Sequence, residues 1–176
     1  MCRLRWDYEA KVPELYTAVF VIPGERVKNG EERLVVLNRV ARPVIERLRG
    51  LNPVHVFVHA RKKDGDPRPV TKINNTAWKA ARERAADAWE KQHGEPAPAG
   101  LRKIRVHDLK HTFGRRLRAA GVSFEDRQDL LGHRSGRITT HYSRAELTSL
   151  IEAAEKVCST ESRKSPATTW LRRKTG

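Results

Sequence analysis

The chain has 176 residues, with 36 Lys+Arg against 21 Asp+Glu, so its formal net charge is +15. That length allows one domain with a real core and excludes two ordinary ones, while 38% apolar residues exceed what a wholly disordered chain carries. No apolar run is long enough to span a membrane, the start Met1 to Trp6 is not followed by a secretory apolar stretch, and Cys2 and Cys158 lie too far apart in sequence to suggest a disulfide framework or zinc site. The chain therefore reads as a soluble, cytoplasmic protein whose positive surplus calls for a polyanionic partner. Charge alone leaves ribosomal, chromatin and nucleic-acid-processing roles open.

Strand signals dominate the first third. Val19-Phe20-Val21-Ile22 and Leu34-Val35-Val36-Leu37 are β-branched and aromatic runs, joined by a polar link, residues 23–32, whose Asn29-Gly30 favours a hairpin. A helix is expected from about Asn38, with Pro43 in its first turn and Gly50 as its stop. Val54 to Val58 reads as a further strand and Asp64 to Pro69 as a loop. From Asn74 the pattern turns helical, with Trp78, Ala81, Ala85 and Trp89 at spacings of three and four. Gly94 to Gly100, with Pro96 and Pro98, breaks that helix. Val106 to Ala120 is a helix stopped by Gly121, and Ser123 with Asp126 opens another that reaches about Leu131. A last helix is expected from Ala145 to Val157, its stripe of Leu147, Leu150, Ile151 and Ala154 suited to packing in cis or on a neighbouring copy. Residues 159–176 are rich in Ser, Thr, Lys and Arg and read as a flexible basic tail.

Three pieces of the second half carry chemistry: His107-Asp108-Leu109-Lys110-His111-Thr112, Leu131-Gly132-His133, and Tyr142. On a helix, His107 and Lys110 share a face. An imidazole beside a fixed cation suits a phosphate, one moving protons and the other neutralising charge. Taken singly, a histidine at a helix start usually caps or packs, and a tyrosine after a loop usually packs; their combination and order carry the signal.

That order resembles the tyrosine recombinases, the phage-integrase family, whose catalytic domain carries His-x-x-Arg-His, then Leu-Gly-His, then a nucleophilic tyrosine. The match runs through His107, Lys110, His111, Leu131-Gly132-His133 and Tyr142. Upstream, residues 27–35 are similar to the family's β-hairpin, with Lys28 at the position of its lysine, and Leu4-Arg5-Trp6 resembles the Leu-x-Trp after its first box. The resemblance implies an α+β fold, mostly helical with a small antiparallel sheet, and recombination or integration of DNA through a 3′-phosphotyrosine. Tyr142 would attack phosphorus, His107 would accept a proton, Lys28 would protonate the departing 5′-oxygen and His133 would donate a hydrogen bond to a phosphate oxygen. Arg105, Arg115, Arg137 and Arg144 would contact the DNA backbone, and His111 would pack or support the catalytic residues from behind rather than catalyse. The resemblance implies no metal or cofactor, double-stranded DNA as partner, and self-association on that DNA.

Two departures follow from the same comparison. The family's first phosphate-gripping arginine would fall before Met1, and its second is Lys110, a point charge in place of a planar fork. On this reading residues 1–158 are a catalytic domain without its first box, and 159–176 a flexible basic tail. The family's N-terminal clamping domain would be missing as well, as in a fragment of a longer recombinase or a decayed prophage remnant. A catalytically impaired DNA-binding remnant is the competing reading, because residues 101–119 hold seven basic side chains against one acidic. An RNA-binding role rests on charge alone and leaves the motif order unexplained.

Overall fold

The computed structural model describes residues 3–59, 67–73, 75–133 and 142–159. An antiparallel sheet of three strands, in the order β1-β2-β3, comprises β1 (Glu9–Val12), β2 (Thr17–Ile22) and β3 (Arg33–Val36). The expected pair of strands is present in register, with Val19 opposite Val36 and Ile22 opposite Arg33. Strand β1, Glu-Ala-Lys-Val, has too little β-branched character to announce itself; pairing of Glu9 with Phe20 through Val12 with Thr17 makes it a strand. The link between β2 and β3 folds through a 3-10 turn at Gly24–Arg26 and a left-handed Gly30, at φ 75°. Gly24 also admits the Gly30 carbonyl, which a Cβ would meet at 2.3 Å.

Helix α1 (Ala41–Glu46) is shorter than expected. It starts as anticipated, because Asn38 Oδ1 accepts the N–H groups of Val40 and Ala41 at 3.2 and 3.0 Å. It ends early because the chain tightens: Leu48 and Arg49 donate to Ile45 and Glu46, three residues back, before the turn at Gly50. The stretch Val54 to Val58 is not the strand expected. Asn52 Oδ1 accepts from Val54 N at 2.9 Å and His55 N at 2.8 Å, which curls the chain and leaves one bridge, Arg5 to His55. Val56 is a fully buried plug whose N–H donates to the Leu4 carbonyl. A strand of two residues, β4 (Val58–His59), pairs with β5 (Arg68–Pro69), so the expected loop ends in a short ladder; residues 60–66 lie outside the described residues.

Helix α2 (Asn75–His93) follows the expected range, but its packed face is rotated from the expected stripe. Ala86 is its buried residue, Trp89 is 38% exposed, and its working contacts go to a 3-10 turn at Leu101–Lys103. Trp78 Nε1 and Arg82 both donate to the Ile104 carbonyl, and Arg102 pairs with Glu83, Asp87 and Glu90. A helix that packs on so narrow a partner needs no broad apolar stripe. Helices α3 (Val106–Ala119), α4 (Phe124–Leu131) and α5 (Arg144–Lys156) match expectation closely, with Gly121 left-handed at φ 69° and Ser123 Oγ capping α4 through Asp126 N. The expected basic tail falls almost wholly outside the described residues.

The sheet is covered on both faces. Phe20 points into a cluster with Leu4, Leu37, Ile45 and Val56, while its neighbour Val19 points the other way, to Leu34 and Leu150 of α5. A third cluster, Leu117, Val122, Ala153 and Val157, ties α3 and α5 together, and Leu130 of α4 touches it and the sheet's cluster alike. Gly114 on α3 lets Leu131 of α4 approach to where a Cβ would lie 3.2 Å from its methyl. The α+β fold with a small antiparallel sheet is thus as the sequence implied. Phe20, at 0% exposure, is the keystone of the first cluster. Phe20→Ala is expected to cost about 3–5 kcal/mol in chemical denaturation, and a loss below about 1 kcal/mol would contradict this packing.

Candidate active site

Three of the five expected catalytic residues meet in one place. Lys28, in the β2–β3 link, Lys110, on α3, and His133, just after α4, line an open cleft of about 1240 Å³. Each arrives by a different local device. The hairpin link carries Lys28 beyond the sheet; the start of α3 is fixed by Asp108, which accepts the Arg105 N–H at 2.8 Å; and α4 ends in a left-handed Gly132, φ 59°, which turns His133 out of the helix.

The cleft is strongly cationic. Arg3, Arg5, Arg26 and Arg33 join the two lysines along its wall, and Glu25 is its carboxylate. Arg26 pairs with Glu25 at 3.8 Å and Arg5 with Asp7 at 2.8 Å, which leaves Arg3, Lys28, Arg33 and Lys110 without an ion pair among the described residues. His133 records the result. Desolvation by its surroundings, then the charges of Lys110, Arg33 and His111, hold its imidazole below the ordinary value. A neutral imidazole has one N–H to donate and no charge to add to a site already crowded with cations.

The other expected catalytic residues lie off the cleft wall. His107 is exposed on α3, its ring edge-on to His111 with centroids 4.7 Å apart. His111, expected to pack or to support the catalytic residues, is exposed rather than packed, and it acts electrostatically on both Asp108 and His133. Tyr142 is half-buried, packed against the cluster of Val19, Leu34 and Leu150, and precedes Ser143, whose reciprocal bonds with Glu146 cap α5. Among the expected backbone contacts, Arg105 is paired with Asp108 at 3.0 Å, holding that carboxyl down to about 2. Arg115 is exposed on α3, Arg144 is exposed at the first turn of α5, and Arg137 lies outside the described residues. Arg33 was not among the expected site residues, although it stands in the hairpin stretch that carried the family resemblance. Among the described residues, no three His, Cys, Asp or Glu side chains are grouped to hold a metal ion, and no helix is long and apolar enough to cross a membrane.

Comparison with known proteins points to a family. A family model described as "Phage integrase family" matches residues 1–148. A protein named Integrase, from Salmonella phage P22, is 30% identical over 143 residues, 77% of this chain and 33% of that protein. The chain thus spans about a third of the length of that relative. No solved structure matches.

The depressed imidazole has a measurable consequence. Because His133 binds its proton less readily in the folded chain than in the unfolded one, protonation disfavours the fold; this group's contribution to stability is intact above about pH 6.5 and falls as pH drops towards the folded value. An NMR titration of His133 is expected to give a pKa below 6.5, rising in Lys110→Gln. A value at or above 6.5 in the unmodified chain would mean that the cations do not crowd this ring.

Proposed function

The chain belongs to the phage integrase family, and on that premise we propose that it cuts and rejoins double-stranded DNA in site-specific recombination or integration, through a 3′-phosphotyrosine at Tyr142. The observation that carries this reading is the convergence of Lys28, Lys110 and His133, from three separate elements, on one cationic cleft. Phosphodiester cleavage needs a nucleophile, a proton donor for the leaving oxygen and positive charge around a five-coordinate phosphorus.

In the proposed reaction the Tyr142 hydroxyl loses its proton to His107 and attacks phosphorus. The bond to the 5′-oxygen breaks as Lys28 gives that oxygen a proton, and the phosphate remains on the tyrosine. A 5′-hydroxyl then reverses the steps and restores the phosphodiester, so bond energy is kept without ATP. Lys110 neutralises the growing charge on the non-bridging oxygens and His133 donates a hydrogen bond to one of them. Tyrosine ionises only near pH 10 in water, so the cationic surroundings favour the phenolate at neutral pH. Tyr142 packs on its apolar cluster and is not among the residues of the cleft wall, so in this reaction it leaves that cluster to reach the phosphate. Arg105, Arg115, Arg137 and Arg144 hold the duplex backbone, residues 1–158 act as the catalytic unit with 159–176 as its basic tail, and copies associate on DNA in the cytoplasm. The cationic side chains supply the electrostatic stabilisation, with no metal or cofactor taking part.

One observation favours a second reading, a DNA-binding relative with impaired chemistry. Lys110 occupies the position of the family's second arginine, and an ammonium loses the two-pronged grip on phosphate. If that grip is worth as much as an oxyanion-hole donor, about 3 kcal/mol, its loss slows cleavage about a hundredfold. A nicked suicide duplex resolved on a denaturing gel tests both readings. The proposed function predicts a covalent adduct that Tyr142→Phe abolishes and that Lys110→Arg speeds by up to about a hundredfold. Equal duplex affinity for the unmodified chain and Tyr142→Phe, with no adduct from either or from Lys110→Arg, would establish the second reading instead.

A further inference from the structure

Arg33 opens β3, paired with Ile22 across the sheet, and its side chain runs along the cleft wall over Gly132. The approach is close enough that a Cβ on Gly132 would sit 2.6 Å from Nε and 2.7 Å from Cζ. Among the described residues the Nε atom is buried without a hydrogen-bond partner, while the residue as a whole keeps partial exposure. A guanidinium that is partly desolvated and unpaired is costly, and a persistent unpaired donor calls for a ligand or a role.

The surroundings deepen that cost. Lys110, on the same cleft wall, is of the same sign, and Arg33 is one of the groups that depress His133. The chain does neutralise other arginines of the same wall, Arg5 through Asp7 and Arg26 through Glu25, but it supplies no carboxylate to Arg33 among the described residues. Arg33 is anchored on a paired strand, in contrast to the hairpin link that carries Lys28. What is missing from this arrangement is an anion, and the guanidinium is the side chain whose planar fork fits two phosphate oxygens.

We propose that Arg33 is a phosphate-contacting residue of the cleft, its guanidinium passed over Gly132 to lie beside Lys110 and His133 and to supply the two-pronged phosphate grip that Lys110 lacks. The inference rests on the reading of the cleft as a DNA site only for the source of the phosphate; the grip itself is a property of these residues. Gly132 then serves two purposes, ending α4 and leaving room for the arginine stem.

Two probes test it, inorganic phosphate followed through the His133 ring resonances, and a short duplex followed by anisotropy across a salt series. Arg33→Met keeps the bulk over Gly132 and removes the charge; Arg33→Lys restores charge without the fork. The expected results are a phosphate response in the unmodified chain, a loss of about tenfold or more in phosphate affinity for Arg33→Met, partial recovery in Arg33→Lys, and a salt slope smaller by about one for the duplex. Phosphate binding through Arg33 without duplex binding would sink the recombination reading and leave this proposal standing. The proposal is overturned if the unmodified chain shows no phosphate response, or if Arg33→Met binds phosphate as the unmodified chain does, including when its melting temperature falls, which would make Arg33 a brace between β3 and α4.

Discussion

Like charges repel, and this chain gathers Arg3, Lys28, Arg33 and Lys110 around one cleft without pairing them among the described residues. Such a cleft spreads unless something else holds its walls. The apolar clusters supply that restraint. Phe20 and Val19, adjacent on β2, anchor opposite faces of the sheet, and Leu150 draws α5 onto the face behind the hairpin. Leu117, Val122, Ala153 and Val157 then fix α3 against α5, which sets where Lys110 stands relative to the hairpin. The cationic site is held together by packing that lies outside it.

The carboxylates are distributed to the same end. Arg49 is held by Glu9 and Glu46 while lying 4.5 Å over the Trp6 ring, and Arg102 gathers Glu83, Asp87 and Glu90. Acidic side chains therefore neutralise arginines that join structural elements, β1 to α1 in one case and α2 to the turn at 101–103 in the other. Few are left for the cleft. A net charge of +15 sets only an average; this partition is what turns an average surplus into a focused one.

Much of this was legible in the sequence, for identifiable reasons. Helices α3 and α4 announce themselves because their ends are chemical, Gly121 left-handed after α3 and Ser123 capping α4, and α5 does so through its apolar stripe. Lys28, Lys110 and His133 were found because motif order survives where distance in sequence is large. What escaped depends on tertiary context. Strand β1 exists through its pairing with β2, Val54 to Val58 fails as a strand because Asn52 takes its first N–H groups, and α2 turns its packed face to a single 3-10 turn. Arg33 escaped for a subtler reason, since nothing in a hairpin sequence tells an arginine that pairs with a carboxylate from one that the fold leaves unpaired.

In the proposed reaction, binding and cleavage would have separate structural foundations. The phosphate-attracting groups sit on the hairpin, on α3 and at the end of α4, all tied to one another through the sheet and the helical cluster. Tyr142 belongs to a different support, an apolar contact with Val19, Leu34 and Leu150 beside a capped helix start. Moving it to a phosphate in the cleft exposes part of one aromatic ring, a cost of about 1–2 kcal/mol at ordinary transfer values, and need not unmake α5, whose cap begins at the next residue. A bound phosphate would also quench the mutual repulsion of the cleft. On the proposed reading, the anion held by the cleft is the same group towards which Tyr142 moves, so that substrate binding and completion of the site are favoured together.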